Sequence, residues 1–165
     1  MRSAIVLCLT GGCLLYSCLP SARFRSEKME PAGQETGTEK GEPLNDLEKF
    51  VRSWLHVPYQ YGGLSRSGVD CSGFSLLALR QVYSLHIPRT AADQYAEGIT
   101  VRQQALLPGD LVFFRNIRSR GIDHVGIYLG DGRFAHATET AGVVVSHMNE
   151  AYYQEHFAGA CRYRK

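Results

Sequence analysis

The chain has 165 residues, of which 44% are hydrophobic and 21% charged, with a formal net charge of +2. That is enough for one domain with a single core, and the isolated arginines make no basic footprint for a nucleic acid. Of the five cysteines only Cys71 and Cys161 lie beyond the first 18 residues, too few for a disulfide framework.

Arg2 precedes an acid-free apolar run from Ala4 to Leu15. The run is shorter than the roughly 20 residues of a transmembrane helix, and a positive start before a short apolar stretch is the pattern of an export signal. It closes in Leu15-Tyr16-Ser17-Cys18, which resembles the lipobox of bacterial lipoproteins: an aliphatic residue, then a small residue just before the cysteine. The resemblance implies that Cys18 is lipidated, palmitate included, and becomes the first residue of the mature chain. Cys13, preceded by Thr10 at the aliphatic position, is a rival, and an ordinary cleaved signal is the alternative. From Leu19 to about Asn45 the chain is rich in Ser, Glu, Thr, Gly and Pro, so it cannot bury enough surface to order itself. The expected division is a signal over 1–17, a tether over 18–45 and a folded domain over 46–165, in which Cys71 and Cys161 are the remaining thiols.

Leu44, Leu47, Phe50, Val51, Trp54 and Leu55 line one helical face and predict a first helix ending near Val57, ahead of Pro58. Tyr59 to Gly68 reads as a glycine-rich loop. Asp70 is a good N-cap, and Phe74, Leu77, Ala78, Gln81 and Val82 give the next helix a core face, with Cys71 in its first turn. A short helix is predicted from Ala91 to Ala96, closed by Gly98. Leu111 to Arg115, His124 to Leu129, Arg133 to Ala137, Gly142 to His147 and Gly159 to Tyr163 then read as short strands separated by turn residues. Helices before strands imply an α+β fold, N-terminal helices packed on a mainly antiparallel β-sheet.

A cysteine thiol titrates near about 8.5 and needs an imidazole or a helix N-terminus to be substantially ionised at neutral pH. Cys71, between Asp70 and Ser72-Gly73 at a helix start, is placed for both, and the helix N–H groups there can hold an oxyanion. A core cysteine packed under Phe74 is the competing reading. In Asp123-His124-Val125-Gly126-Ile127-Tyr128 the strand period sets His124 and Gly126 on one face, which predicts open space beside the imidazole. His136 follows twelve residues later. If Gly130-Asp131-Gly132 is a three-residue loop and Leu129 pairs with Arg133, His136 falls opposite Gly126 and both imidazoles share a face. A two-residue loop would put them on opposite faces. The first register permits a relay in which His136 orients His124 and His124 ionises Cys71. Zinc competes for the same three side chains, without any CxxC, HxH or HExxH in the chain. His56, His86, His147 and His156 read as solvated, and Cys161 as a buried small apolar residue.

Four blocks in order, Pro58-Tyr59-Gln60-Tyr61-Gly62-Gly63, Asp70-Cys71-Ser72-Gly73-Phe74, Leu107-Pro108-Gly109-Asp110-Leu111-Val112-Phe113-Phe114 and Asp123-His124-Val125-Gly126-Ile127-Tyr128-Leu129-Gly130, resemble the NlpC/P60 cell-wall peptidases. The resemblance implies a papain-like fold, no cofactor or metal, and hydrolysis of peptidoglycan stem peptides. It carries the nucleophile onto Cys71, the base onto His124, the orienting third member onto His136, and a tyrosine at the reacting centre onto Tyr59. Asp70 and Ser72 would border the substrate groove, and Arg89 would serve structure or a stem carboxylate. His56-Val57 stands where the family often has Gly-Thr, which predicts an altered groove wall. With the lipobox, the expectation is a monomeric, lipid-anchored cysteine endopeptidase of the bacterial envelope, on the periplasmic side of the outer membrane. It would cleave the D-glutamyl to diamino-acid bond or a nearby cross-link. A catalytically idle wall-binding lipoprotein, and an amidase or acyltransferase of related fold, are the alternatives.

Overall fold

The computed structural model describes residues 43–163. The expected signal, the expected lipobox with Cys18, and most of the expected tether, up to residue 42, lie outside the described residues.

Helix α1, Pro43–Trp54, opens on proline, whose missing N–H costs nothing at the first helical position. It buries Leu47, Phe50, Val51 and Trp54, the spacing of a single apolar face. The helix stops three residues short of the expected Val57. The reason is tertiary: His56 takes a left-handed conformation, φ 65°, and donates its N–H to Val143 O at 2.9 Å, so the chain pairs with the sheet instead of coiling on. Leu55 is left at the surface. The expected loop after it contains two short strands, β1 (Leu64–Ser65) and β2 (Gly68–Val69), paired antiparallel.

Helix α2, Cys71–Tyr83, starts where its N-cap Asp70 accepts from Gly73 N and ends at Ser84 in the left-handed region. Its first turns are buried all round, from Cys71 to Ser75 and again at Leu77, Ala78 and Leu79, as befits a helix enclosed by a core. Helix α3, Ala91–Glu97, is capped by Thr90, whose hydroxyl accepts from Asp93 N at 3.2 Å.

Strands β3 (Ile99–Val101), β4 (Leu111–Arg115), β5 (Ile122–Gly130), β6 (Arg133–Thr138), β7 (Gly142–His147) and β8 (Phe157–Arg162) form one antiparallel sheet in the order β3-β8-β4-β5-β6-β7. The α+β expectation therefore holds. Strand β3 and helix α4 (Ala151–His156) are additions. Strand alternation divides the core in two. Leu111, Phe113, Val125, Ile127, Ala135 and Val143 pack with the residues of α1 and α2, while Val112, Phe114, Phe134 and Ala160 form a second cluster with Tyr153 of α4 and Tyr128.

The β5–β6 hairpin decides where the histidines go. Its loop is two residues, Asp131 and Gly132, both at positive φ (52° and 74°), as a type I′ turn requires. A two-residue loop alone would have sent the imidazoles to opposite faces. A bulge between Tyr128 and Gly130 adds one residue to β5, so that Tyr128 pairs with Phe134 and Ile127 with Ala135. The expected register is thereby recovered by a route other than the expected three-residue loop.

The open space expected beside Gly126 is filled. A Cβ there would stand 2.6 Å from Phe134 Cδ2, 3.0 Å from Ala135 O and 3.3 Å from His136 Cβ. The glycine admits the Phe134 ring and the His136 strand, not a ligand. Gly126→Ala should therefore overpack this face and lower stability by about 1–3 kcal/mol. The urea midpoint of the variant against that of the native protein measures it.

Candidate active site

The start of α2 opens onto a groove of about 840 Å³ whose lining includes Tyr59, Tyr61, Asp70, Cys71, Ser72, Arg89 and Arg118. Cys71 is the first residue of the helix and 4% exposed. Asp70 fixes that start. Its Oδ1 accepts from Gly73 N at 2.7 Å and from Arg89 Nη1 at 2.9 Å, and its Oδ2 from Arg89 Nη2 at 2.7 Å and Gly62 N at 2.8 Å. Burial pushes the Asp70 carboxyl upward, but the Arg89 bond and the two backbone donors outweigh it and hold the group below its ordinary value. The Arg89 fork also donates to Ser72 Oγ at 2.9 Å and Gly63 O at 3.4 Å. Of the two roles expected for Arg89, the contacts describe the structural one: its guanidinium clamps the loop, the N-cap and the residue after the cysteine into one unit.

His124 and His136 lie on the other sheet face. His124 Nε2 and His136 Nδ1 are 2.7 Å apart, and the rings meet edge to face with centroids 5.0 Å apart. His136 is fully buried and His124 is 5% exposed. Beyond them, His136 Nε2 is 3.1 Å from Ser146 Oγ and 3.3 Å from Tyr153 Oη. Both histidines line a cavity of about 300 Å³ that shares Tyr59, Ile117, Arg118 and Glu139 with the groove of Cys71. The main chain of Val125, next to His124, lies near enough to the Cys71 thiol to favour its ionised form.

Arg118 stands where the two cavities adjoin. It donates to Tyr59 Oη, lies 5.0 Å over the Tyr59 ring and pairs with Glu139 at 2.8 Å. Its loop is tied down by Asp123, whose carboxylate accepts from Ile117 N (3.2 Å), Arg118 N (2.6 Å) and Ser119 N (2.5 Å).

A helix start and a nearby imidazole predict an ionised thiol at Cys71. Burial reverses that: it pushes the Cys71 thiol up to about 11, against the smaller lowering by Val125 and Ser72 main-chain groups. It also pushes His124 down to about 4, against the Asp123 charge, and His136 down to about 3. At neutral pH the resting site holds a thiol and two uncharged imidazoles. A helix start cannot offset so large a desolvation penalty.

The NlpC/P60 family profile matches residues 56–162. The chain belongs to the NlpC/P60 family. It is 41% identical over 119 residues to the probable endopeptidase NlpC of Escherichia coli K12, covering 72% of this chain and 75% of the relative. It is 34% identical over 165 residues to the murein DD-endopeptidase MepS/murein LD-carboxypeptidase of the same strain, covering 90% and 86%. A crystal structure of an NlpC/P60 family protein from Bacillus cereus ATCC 10987 superposes with a TM-score of 0.66 at 34% identity, over 73% of this chain and 40% of that one. This chain spans less than half the length of that structure.

The NlpC/P60 blocks gave no role to four residues the fold adds to the site. Arg118 is one of two arginines in its loop, Asp123 stood inside a motif with no role, Ser146 is the last residue but one of β7, and Tyr153 belongs to the unforeseen α4. Register alone could have found Ser146, which pairs with Phe134, two residues before His136. The departure at His56-Val57 does not reach the groove: these residues bond to Val143 of β7. His147 and His156 are half-buried rather than solvated, His156 Nδ1 lying 2.8 Å from Arg115 O. Among the described residues no group of three or more His, Cys, Asp or Glu is arranged to hold a metal ion.

Both site histidines titrate well below the about 6.5 of an unfolded chain, so between those values the unfolded state binds more protons and stability falls with falling pH. The loss begins below about pH 6.5 and deepens to about 4 and 3. Asp70, with its value lowered, adds its own loss only under the ordinary carboxylate range. The urea midpoint should therefore drop between about pH 6.5 and 4 in the native protein, and drop less steeply in His136→Gln.

Proposed function

We propose that this protein hydrolyses peptidoglycan stem peptides as a cysteine endopeptidase. The observation that supports it best is the join of a cysteine at a capped helix start, facing a groove, with a hydrogen-bonded histidine pair in the adjoining cavity. The relatives named as endopeptidases support the same reading.

The pKa directions support a particular order of events. Since thiol and imidazole are both neutral at rest, the proton leaves Cys71 as the sulfur attacks a stem carbonyl, with His124 as the general base. Nε2 of His124 is engaged with His136, so Nδ1 is the atom that takes the proton. The imidazolium formed is held by His136 Nδ1 as acceptor and by the adjacent Asp123 charge. Main-chain N–H groups at the start of α2 receive the oxyanion together with Tyr59. Because Arg118 donates to the phenolic oxygen, the Tyr59 proton is free to point at the substrate. His124 then gives its proton to the departing amine, and water attacks the thioester to release the acid and restore the thiol. The scissile bond is the D-glutamyl to diamino-acid link or a nearby cross-link, the second matching the DD-endopeptidase activity in one relative's name.

We further propose that residues 1–17 are a signal, that Cys18 carries the lipid, and that a tether from there to the start of α1 at Pro43 lets the folded domain reach the wall from the periplasmic face of the outer membrane. Several acyl chains hold a membrane firmly where one does so marginally, and anchoring raises the local enzyme concentration. In fractionated cells, Cys18→Ser should release the protein from the membrane and abolish its labelling by fatty acid. Equal retention of both forms without label would remove the anchor and leave an exported peptidase.

Digestion of purified muropeptides by the full-length protein, with the new ends identified by mass, tests the activity. Cys71→Ala should reduce hydrolysis to background with the fold intact. Cys161→Ala should change it little, since that thiol is buried against Gln94 O at 3.4 Å, away from the groove. Hydrolysis retained in Cys71→Ala would falsify the mechanism. Binding of muropeptides without hydrolysis by the native protein would favour the wall-binding alternative.

A further inference from the structure

A histidine pair joined through His124 Nε2 and His136 Nδ1 shares one proton between those atoms, and the two placements differ in consequence. If His124 donates, its Nδ1 is bare and His136 keeps its own proton on Nε2. If His136 donates, His124 carries its proton on Nδ1 and cannot accept one from a thiol. Nothing at the shared bond itself selects between them. A selection can be made at the far end, at His136 Nε2.

Two hydroxyls meet that nitrogen. Ser146 Oγ of β7 is 3.1 Å away and Tyr153 Oη of α4 is 3.3 Å away, and the two oxygens are 3.4 Å apart. Three polar groups around one point cannot all donate. With Ser146 donating to Tyr153, the serine lone pairs face His136. The tyrosine lines the cavity of about 300 Å³ and can turn its own proton there. The tyrosine is held by packing rather than by chance: its ring lies 5.2 Å from Phe114, 4.9 Å from Phe134 and 5.4 Å from His136.

We propose that Ser146 and Tyr153 are positioning residues of the relay: together they accept the Nε2–H of His136 and so hold both histidines in the tautomers that leave His124 Nδ1 bare. This rests on His124 being the base, but tautomers can be read without activity. The same arrangement serves once His124 is protonated, since its Nε2–H continues to donate into a chain that already runs outward.

The test uses the full-length protein as Tyr153→Phe, Ser146→Ala, the double variant and the conservative Ser146→Thr. Tyr153→Phe keeps the ring packing and removes only the hydroxyl, so a folded protein is available even if the serine change is disruptive. Long-range ¹⁵N–¹H NMR of the imidazoles should show His136 protonated on Nε2 and His124 bare on Nδ1 in the native protein. Tyr153→Phe should weaken that preference and the double variant should lose it. With muropeptides, kcat should fall about tenfold in the double variant at unchanged KM, the weight of one or two neutral hydrogen bonds, and Ser146→Thr should retain most of it. A native His136 bare on Nε2, or a double variant with native tautomers and native kcat, would overturn the proposal. A native protein that shows the expected tautomers yet hydrolyses no muropeptide would sink the peptidase reading while leaving the tautomer assignment standing.

Discussion

The short bond between two buried, uncharged imidazoles, His124 Nε2 to His136 Nδ1 at 2.7 Å, is the constraint on which the rest of the site depends. It exists because β5 and β6 turn both rings to one face, and they do so only because a bulge beside Gly130 corrects a two-residue turn. Gly126 lets the Phe134 ring close over that face. The histidines are thus set within the second core as firmly as apolar residues would be, and their depressed titration follows from that burial. Orientation is obtained by packing, and at neutral pH the pair stores no charge.

Two aspartates perform parallel work. Asp70 and Asp123 each precede a residue of the proposed relay, Cys71 and His124, and each spends its carboxylate on main-chain N–H groups. Asp70 ties the start of α2 to the Gly62–Gly63 turn and, through Arg89, to the segment before α3. Asp123 ties the start of β5 to the loop that carries Arg118. The two carboxylates thereby fix opposite sides of the groove, and Arg118 on Tyr59 closes the circuit between them.

Much of this was legible in the sequence because it is local. The N-cap rule put Cys71 in the first turn of a helix, and the apolar periods marked α1, α2 and the larger strands. What escaped was set by contacts between distant residues. Helix α1 ends early because His56 bonds to Val143. Helix α4 lacks an apolar period, so Tyr153 could not be anticipated. The shared histidine face was inferred correctly from the wrong loop length, since one inserted residue has the same effect as a longer turn. The expected ionised thiol failed because the helix-end argument is local while desolvation depends on everything packed above Cys71.

The account stands on Cys71 forming a covalent bond to the stem peptide, and rapid acid quenching of the full-length protein with purified muropeptides, followed by intact-mass measurement, addresses that bond itself. The predicted result is a transient adduct on Cys71 with the mass of the acyl fragment, formed in step with the released amine. Release of new ends at the same rate, with no adduct at any quench time and an unmodified Cys71, would contradict it.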